Sequence, residues 1–376
     1  MGNVQVAQIS VPKDWIDFGI GQPQVDILPI ELLEEAAHHR FQEKDRNILQ
    51  YGMQQGNGAF RMALARFLGA HYGKTVDPDH LLISAGNSQA LDMICALKTR
   101  PGDTVIVEEP SYFLALRIFA DYKLNVVGTS VDENGIIIEA LEEKLKKHKP
   151  VFLYTIPVFH NPSGVTLSTD RREELVGLSE KYDFLIVADE VYQLLGYTSA
   201  PPQPMAYYDT SERVLSLGSF SKILAPGLRL GWIQAKPGLL DPFIVCGYLD
   251  SGGGLNPFVS SLVGSMLELG LQESYLKELR KVYGERMLAL SGALRQKIPD
   301  LKFADPSGGY FIWSCLPKGT DSESLLANAS NHKVGFQPGI KFSCNKGLRN
   351  HLRLCFAFYG KNDLVKGVER LARAID

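Results

Sequence analysis

LSLGSFSKILAPGLRLGW, residues 215–232, is the stretch around which the rest of the chain is organised. A strand-like apolar run ends here in two serines, a lysine, a turn and an arginine. Ser219 and Ser221 can donate hydroxyl hydrogen bonds to an anion, and Arg229 can bind one through two N–H groups. Lys222 is flanked by apolar groups that disfavour its charged form, and a neutral lysine is a nucleophile towards aldehydes. The pattern is typical of a site that holds a phosphate beside an amine.

The spacing within this stretch resembles the lysine segment of class I and II aminotransferases, which use pyridoxal phosphate. It has serine, any residue, serine and lysine, and then Arg229 seven positions after Lys222 in a Gly-Leu-Arg-x-Gly frame. The match is nearest to the branch with kynurenine and 2-aminoadipate aminotransferases. The resemblance implies the cofactor pyridoxal 5'-phosphate, held as a Schiff base on Lys222. An isolated lysine is more often a solvated surface residue, so the assignment depends on the other motifs.

Length and composition narrow the class of protein. With 376 residues the chain can form about two domains and a substantial core. The net charge is -3 and both signs are mixed along the chain, so the composition does not indicate a basic surface that would bind nucleic acid. No apolar stretch approaches the ~20 residues of a membrane span, and the N-terminus lacks a signal core. The five scattered cysteines have no metal-ligand spacing. We therefore expect a cytoplasmic protein with free thiols, no metal site and no membrane contact.

Two N-terminal segments carry further predicted site residues. Gly21 opens a Gly-Gln-Pro turn, and in the resembled family such a segment lines the substrate pocket. Tyr51, with Gly56 five and Arg61 ten residues later, resembles a segment whose tyrosine hydroxyl reaches the cofactor phosphate of the neighbouring subunit. The resemblance thus implies a homodimer. The plain alternatives are an ordinary loop for the first segment and a packed tyrosine for the second.

A glycine turn between a predicted strand, residues 81–84, and a predicted helix is a candidate phosphate site. Gly86, Asn87 and Ser88 would bring backbone amides together at the helix N-terminus, where the helix dipole favours an anion by roughly 0.3–1 kcal/mol. A tight connection without a ligand is the alternative. The position of this turn, well upstream of Lys222, agrees with the resembled family.

Two further motifs resemble segments that contact the pyridine ring. Tyr112 ends an acidic-Pro-x-Tyr motif, which in the family places the tyrosine ring against the pyridine face. Asn161 opens an Asn-Pro-Ser-Gly turn. In the family this asparagine hydrogen-bonds the phenolic oxygen of the cofactor and lies beside the substrate. Relatives commonly carry glutamine where His160 stands, and we interpret His160 as a neutral substitution in the turn rather than a catalytic histidine.

Charged residues in apolar strands complete the predicted site. Asp189 ends the strand-like run at residues 184–188, where a carboxylate is costly unless a cation pairs with it. The resemblance implies that Asp189 binds the protonated pyridine nitrogen and that Tyr192 donates to the ring phenolate. Arg353, within an apolar run, matches the arginine that binds the substrate α-carboxylate through two hydrogen bonds.

The predicted fold is α/β. Strands alternate with helices between residues 81 and 232, which favours a mostly parallel sheet with a site beyond the carboxyl ends of its strands. The resemblance implies fold type I, with a large domain around a mostly parallel seven-stranded-type sheet and a smaller α+β domain. We expect residues 1–40 to contribute to the small domain and substrate pocket, residues 41–245 to form the large cofactor-binding domain, and residues 246–376 to form the small domain.

The predicted function is transfer of an amino group from an L-α-amino acid to a 2-oxo acid, for which we expect 2-oxoglutarate. Lys222 would act as general base and then acid. A cysteine-conjugate β-lyase, or another enzyme acting at the α-carbon, is an alternative with the same cofactor; pyruvate formed without a 2-oxo acceptor would favour it. A second alternative is a non-catalytic sensor domain of a transcription regulator, although the match starts almost at residue 1. The sequence does not assign the donor among aspartate, aromatic amino acids, kynurenine and 2-aminoadipate.

Overall fold

The structure is a computed structural model that describes residues 8–375. The first seven residues, on which the expectation about targeting signals partly rests, lie outside that range. The strands are β1 (Ile16–Asp17), β2 (Leu81–Ser84), β3 (Thr104–Glu109), β4 (Asn125–Asp132), β5 (Gly135–Ile136), β6 (Pro150–Thr155), β7 (Leu185–Asp189), β8 (Val214–Ser219), β9 (Gly231–Gln234), β10 (Lys302–Phe303), β11 (Phe311–Cys315), β12 (Val334–Gly335), β13 (Gln337–Pro338) and β14 (His351–Cys355). The α-helices are α1 (Ile30–Gln42), α2 (Gly58–Tyr72), α3 (Asn87–Lys98), α4 (Phe113–Asp121), α5 (Ile138–Leu145), α6 (Thr169–Tyr182), α7 (Pro237–Ile244), α8 (Gly247–Gly252), α9 (Pro257–Glu268), α10 (Leu271–Lys297), α11 (Ser322–Asn331) and α12 (Lys361–Ile375).

The large sheet has the strand order β2-β9-β8-β7-β6-β3-β4-β5. Strand β9 is antiparallel to both of its neighbours, and the two-residue strand β5 is antiparallel to β4 at the edge. The pairings from β8 through β7, β6 and β3 to β4 are all parallel. Seven strands therefore form the body of a mostly parallel sheet, as the alternation of strands and helices predicts.

Alternate side chains of the central strands pack against different helical layers. On β3, Val105 and Val107 join a core with side chains of α3, α4 and α7, whereas Ile106 joins a core with side chains of α5 and α6. Both faces are thus covered, which explains why these strands read as continuous apolar runs. Phe152 of β6 has no exposed surface, and burial of one such ring contributes about 1.5–3 kcal/mol.

The C-terminal part of the chain forms a second, antiparallel sheet in the order β10-β11-β14-β13. The long helix α10 and the terminal helix α12 pack on each other beside it. Strand β1 pairs in parallel with β12, so the N-terminal segment lies against this C-terminal part. Helix α9 packs on α1 and α2. No helix within residues 8–375 combines the length and apolar character needed to cross a membrane.

The order of the strands determines where the polar residues of the site meet. Asp189 and Ser219 are the last residues of β7 and β8, which lie side by side. Asn87 opens α3 shortly after β2, and Asn161 follows β6. Because β2, β6, β7 and β8 run in the same direction, these four residues gather at one edge of the sheet.

Candidate active site

Six predicted residues lie together where β2 leads into α3 and where β8 ends. We call them the anion cradle: Gly86, Asn87, Ser88, Ser219, Ser221 and Arg229. The hydroxyl of Ser219 donates to Oγ of Ser221 at 2.9 Å, and Nη1 of Arg229 lies 3.5 Å from the same oxygen. Arg229 is exposed, so its charge remains solvated. The cradle thus gathers hydroxyl, guanidinium and backbone donors, which is the donor set that a phosphate requires.

A glycine at the strand-to-helix turn allows the guanidinium of Arg229 to approach. Gly86 has φ of 84°, and a Cβ built on it would lie 2.9 Å from Nη2 of Arg229. That Nη2 donates to the carbonyl oxygen of Ala85 at 3.0 Å. The arginine therefore lies against the turn that begins α3, beside the first N–H groups of that helix.

Asp189 is buried, and neighbouring donors engage both of its oxygens. Nδ2 of Asn87 donates to Oδ1 at 2.6 Å, and the hydroxyl of Tyr154 donates to Oδ2 at 2.8 Å. Burial raises the pKa of Asp189, while these hydrogen bonds and the charge of Lys222 lower it. The carboxylate is thus oriented by neutral groups and can still pair with a cation. The side-chain nitrogen of Asn87 serves Asp189, and its Oδ1 has no hydrogen-bond partner among the described residues.

Tyr154 is a site residue that the sequence did not indicate. It lies in β6, has no exposed surface, and its hydroxyl meets the carboxylate of a residue 35 positions away in the neighbouring strand. The one available signal was a tyrosine with a polar hydroxyl inside an otherwise apolar strand.

Lys222 lies between the cradle and the small sheet. Its Nζ donates to the carbonyl oxygen of Gly21 at 2.8 Å and lies 5.2 Å from the centre of the Tyr310 ring. Burial lowers the pKa of Lys222 to about 8. The amine is therefore neutral far more often than an ordinary lysine at the same pH, as its apolar sequence neighbours predict.

Two of the predicted tyrosines lie close to these charges. Tyr112 immediately precedes α4, and burial raises its pKa to about 12, with the charge of Asp189 adding to the effect. Tyr192 is buried, and its ring centre lies 5.4 Å from that of Tyr310. Burial raises the pKa of Tyr192, and the charge of Arg353 opposes that shift. Both phenols therefore remain protonated donors.

Arg353, in the middle of β14, is 2% exposed and donates to neutral oxygens. Its Nη1 donates to Oδ1 of Asn161 at 2.9 Å, and its Nη2 donates to the carbonyl oxygen of Gly19 at 2.9 Å. Nε has no hydrogen-bond partner among the described residues. A guanidinium has five N–H groups, so three remain available for a ligand.

Aromatic rings surround the Arg353 guanidinium. Its central carbon lies 4.0 Å from the ring centre of Phe311, 5.1 Å from that of Phe342 and 5.9 Å from that of Phe113. Burial lowers the pKa of Arg353, but arginine remains charged in proteins. We call Arg353, Asn161, Gly19, Phe311 and Phe342 the arginine pocket. Of these, the sequence indicated only Arg353 and Asn161.

The predicted substrate residue Gly21 lies between Lys222 and the arginine pocket. Besides accepting the Lys222 hydrogen bond, it stands where a Cβ would lie 3.2 Å from Cζ of Phe311 and 3.5 Å from Nη2 of Arg353. Tyr51 is different, because its side chain is 83% exposed on the loop that precedes α2.

The described residues fit pyridoxal phosphate. The cradle offers donors for the phosphate, Asp189 is a buried carboxylate without a strong ion pair, and Lys222 provides an amine of lowered pKa. This combination of sheet, cradle and lysine is that of pyridoxal-phosphate enzymes of fold type I. The family model described as aminotransferase class I and II matches residues 13–371. The chain belongs to that family.

Named relatives and solved structures agree with this assignment. The chain is 33% identical to the aromatic-amino-acid aminotransferase 1 of Thermococcus litoralis, over 96% of this chain and 88% of the relative. A kynurenine aminotransferase of Pyrococcus horikoshii, solved in complex with PMP, KYN and KYA, superposes with a TM-score of 0.91 at 34% identity, covering 96% of this chain and 91% of that one. An α-aminoadipate aminotransferase of Thermus thermophilus, complexed with N-(5'-phosphopyridoxyl)-L-leucine, gives 0.87 at 32% identity, covering 98% and 95%.

The predicted family, fold, cofactor and reaction are thereby confirmed. The protein is a pyridoxal-phosphate-dependent aminotransferase that acts on amino acids and oxo acids, with motifs of the kynurenine and aminoadipate branch. The lyase and the non-catalytic sensor are the less favoured alternatives.

Proposed function

We propose that the protein transfers the amino group of an aromatic L-α-amino acid to 2-oxoglutarate. The observation that supports this choice is the ring of aromatic side chains around Arg353, made by Phe113, Phe311 and Phe342. A flat apolar side chain packs well against such rings. The names of the relatives point to aromatic amino acids, kynurenine and aminoadipate.

Each part of the site has a proposed task in binding the cofactor. Pyridoxal phosphate supplies an aldehyde that condenses with amines and a ring that withdraws electrons from the substrate α-carbon. The cradle would bind its phosphate, and Asp189 would hold a proton on the pyridine nitrogen. Tyr112 would pack against the ring. Asn161, through Nδ2, and Tyr192, through its hydroxyl, would donate to the phenolic oxygen.

Lys222 moves the proton. Its neutral Nζ takes the α-proton of the substrate as general base and returns it as general acid, a role that typically contributes ~10²–10⁴-fold to the rate. A pKa of about 8 suits this work near neutral pH, because both forms of the amine are then accessible.

Arg353 binds the α-carboxylate. Three of its N–H groups remain after those given to Asn161 and Gly19, so it can hold a carboxylate through two parallel hydrogen bonds without giving up its anchors. The aromatic rings exclude water from this contact and strengthen it. The substrate is thereby oriented with its α-carbon towards Lys222.

An absorbance experiment tests the function. Purified protein and Lys222→Ala are each loaded with pyridoxal phosphate and mixed with aromatic amino acids, kynurenine, 2-aminoadipate or aspartate. The wild type should show a visible band that the aromatic donors convert, and the variant should not complete that conversion. A wild type that does not convert with any donor would refute the proposal, and preference for aspartate would refute the aromatic substrate class.

The exposed apolar surface around Tyr51 supports a homodimer as part of this proposal. Leu49, Tyr51 and Met53 are exposed, and so are Val245 and Tyr248 on an adjoining segment. The two segments are joined by the bridge between Gly52 and Gly254. Exposed apolar patches of this kind mark protein–protein contacts. We propose that a second copy of the chain covers this patch and that Tyr51 completes the partner's cradle.

A mixed dimer separates this arrangement from a monomeric site. Tyr51→Phe and Lys222→Ala subunits are expressed separately and then mixed under conditions that allow exchange. If Tyr51 serves the neighbouring subunit, the hybrid contains one site with both groups intact, and activity should rise above that of either parent. Absence of any rise, despite hybrid formation by mass, would contradict the shared site.

The location and the domain boundaries complete the proposal. All five cysteines are free, with Cys95 and Cys355 buried, which supports residence in the cytoplasm. The pairing of β1 with β12 supports assigning residues 1–40 partly to the small domain. We propose boundaries near residues 40 and 245, with the anion cradle on the large domain and Arg353 on the small one.

A further inference from the structure

A buried acid–base pair lies behind the arginine pocket and has no part in the proposed chemistry. Oε2 of Glu108 lies 3.1 Å from Nε2 of His160, and both side chains are only 3% exposed. Glu108 is next to last in β3, and His160 lies in the turn that follows β6. The same Glu108 oxygen accepts a hydrogen bond from the backbone N–H of Ile156 at 2.8 Å. A charged residue buried this deeply requires such partners.

The hydrogen bonds around the imidazole define its tautomer. The backbone N–H of Ser163, which can only donate, points to Nδ1 of His160 at 3.2 Å. Nδ1 must therefore carry a lone pair, and the single proton of a neutral ring must be on Nε2. Nε2 is in close polar contact with the Glu108 carboxyl group, but the direction of that contact is not that of a hydrogen bond.

The imidazole closes the turn that presents Asn161. The backbone N–H of His160 donates to the carbonyl oxygen of Val165 at 2.9 Å. The carbonyl oxygen of His160 accepts from the backbone N–H of Gly164 at 2.7 Å. The side chain adds the bond from Ser163. Together these contacts fix residues 160–165 to the end of β3 through Glu108.

The orientation of the Asn161 side chain is the property that this turn controls. Arg353 can only donate, so Asn161 must present Oδ1 to it, at 2.9 Å. Its Nδ2 group is then left as the donor for the cofactor. A small rotation of the turn would move both contacts, because one amide serves both.

We propose that Glu108 and His160 form a positioning pair, which holds the Asn161 turn and through it orients Arg353 for the substrate α-carboxylate. This inference rests on the proposed function. His160 remains a non-catalytic residue of the turn in this proposal. A glutamine side chain at this position has one amide oxygen that can accept from Ser163 and one amide nitrogen that can face Glu108, so it can do the same work.

Two substitutions of nearly equal shape test the pair. His160→Gln keeps an acceptor and a donor, whereas His160→Met keeps the bulk and loses both. We expect the Met variant to raise KM for the amino acid about tenfold, as expected for a lost buried hydrogen bond, while kcat and cofactor affinity change less than about threefold. The Gln variant should have KM within about threefold of the wild type. Glu108→Gln and Glu108→Met repeat the comparison from the other partner if His160→Met does not fold.

The outcomes separate the two proposals. A wild type that converts no donor refutes the proposed function. A wild type that turns over, together with a folded Met variant of unchanged KM, overturns the positioning pair, even if its melting temperature falls. Equal loss in the Gln and Met variants also overturns it, because bulk rather than hydrogen bonding would then decide the effect.

Discussion

The anion cradle and the arginine pocket bind negative groups in opposite ways. In the cradle, Ser219, Ser221 and Arg229 lie within eleven residues of one another, and Arg229 is exposed to solvent. In the pocket, Arg353 is 2% exposed and is held by Asn161 and Gly19, which are 192 and 334 residues away. The cradle is thus local and wet, and the pocket is assembled from distant segments and dry.

This difference teaches which quantity each region controls. A solvated arginine adds modestly to affinity and its contribution is screened by salt. A desolvated arginine with fixed anchors contributes more to ligand affinity. It also tolerates fewer changes in ligand geometry, because its own orientation is fixed. We therefore expect the cradle to govern cofactor affinity in a salt-dependent way and the pocket to govern recognition of the substrate carboxylate.

The titration of Lys222, which lies between the two regions, should show the largest effect. Burial lowers its pKa to about 8 from 10.5, so at neutral pH the neutral amine is roughly 300-fold more populated than in an ordinary lysine. The cofactor-free protein should condense with pyridoxal, which lacks the phosphate, at a rate that rises with pH. The midpoint of that rise should lie near pH 8. Subtracting the rate of Lys222→Ala removes the other lysines. A midpoint above about pH 10, the value of an ordinary lysine, would show that burial does not control the amine.

Arg353→Lys should follow in size. Lysine keeps the charge but loses the planar fork, so kcat/KM for the amino acid should fall about 100-fold, equivalent to roughly 2.7 kcal/mol. Cofactor affinity should stay unchanged. Arg349→Lys is the matched control, since Arg349 is a half-exposed arginine that pairs with Asp321 at the surface. Equal effects at the two positions would remove the distinction between a dry pocket and an exposed ion pair.

Arg229→Ala should have a smaller effect and a different target. Loss of one solvated phosphate contact should weaken binding of pyridoxal phosphate about tenfold at low salt and less at high salt. The KM for the amino acid should change little once the cofactor is saturating. Titration calorimetry at two ionic strengths, with Arg213→Ala as control, measures this. An unchanged cofactor affinity would exclude Arg229 from the cradle.

Tyr154→Phe should produce the smallest change. The substitution removes the hydroxyl that donates to Asp189, and one such bond is worth about 1 kcal/mol, or roughly fivefold in kcat. Because that bond lowers the pKa of Asp189, its loss also makes the carboxylate easier to protonate, and the acid limb of the pH profile should move to higher pH. Tyr122→Phe removes a comparable tyrosine–aspartate bond at the surface and should leave the profile unchanged.

The contrast also explains how far the sequence could predict the structure. The cradle residues follow strand ends within short motifs, and all six were indicated by local spacing. Tyr154 and Gly19 were missed because their roles depend on which distant strands become neighbours, and no local pattern carries that information. Phe311 and Phe342 were missed because aromatic residues in or near strands are usually core.

Element boundaries show the same limit on a smaller scale. The helical spacing of Leu141 and Leu145 predicts a helix over residues 138–148, but helix α5 ends at Leu145. Pro150 follows shortly afterwards and disfavours helical geometry at the residue before it, and the closely spaced lysines at 144, 146 and 147 repel one another. Strand β2 was predicted over residues 81–84, as observed, since an apolar run bounded by a glycine turn leaves little choice.

The contact between Gly19 and Arg353 also determines the order in which the two regions can form during synthesis. These residues lie near opposite ends of the chain. Closing a loop of more than three hundred residues has an entropic cost, and the contact stabilises the fold only after the loop has closed. The six residues of the anion cradle, by contrast, all lie between Gly86 and Arg229, in less than half of the polypeptide. During synthesis, the residues that bind the cofactor phosphate are therefore complete long before the residues that bind the substrate carboxylate. Removal of the segment that contains Gly19 or of the segment that contains Arg353 should abolish activity, while cofactor binding is retained.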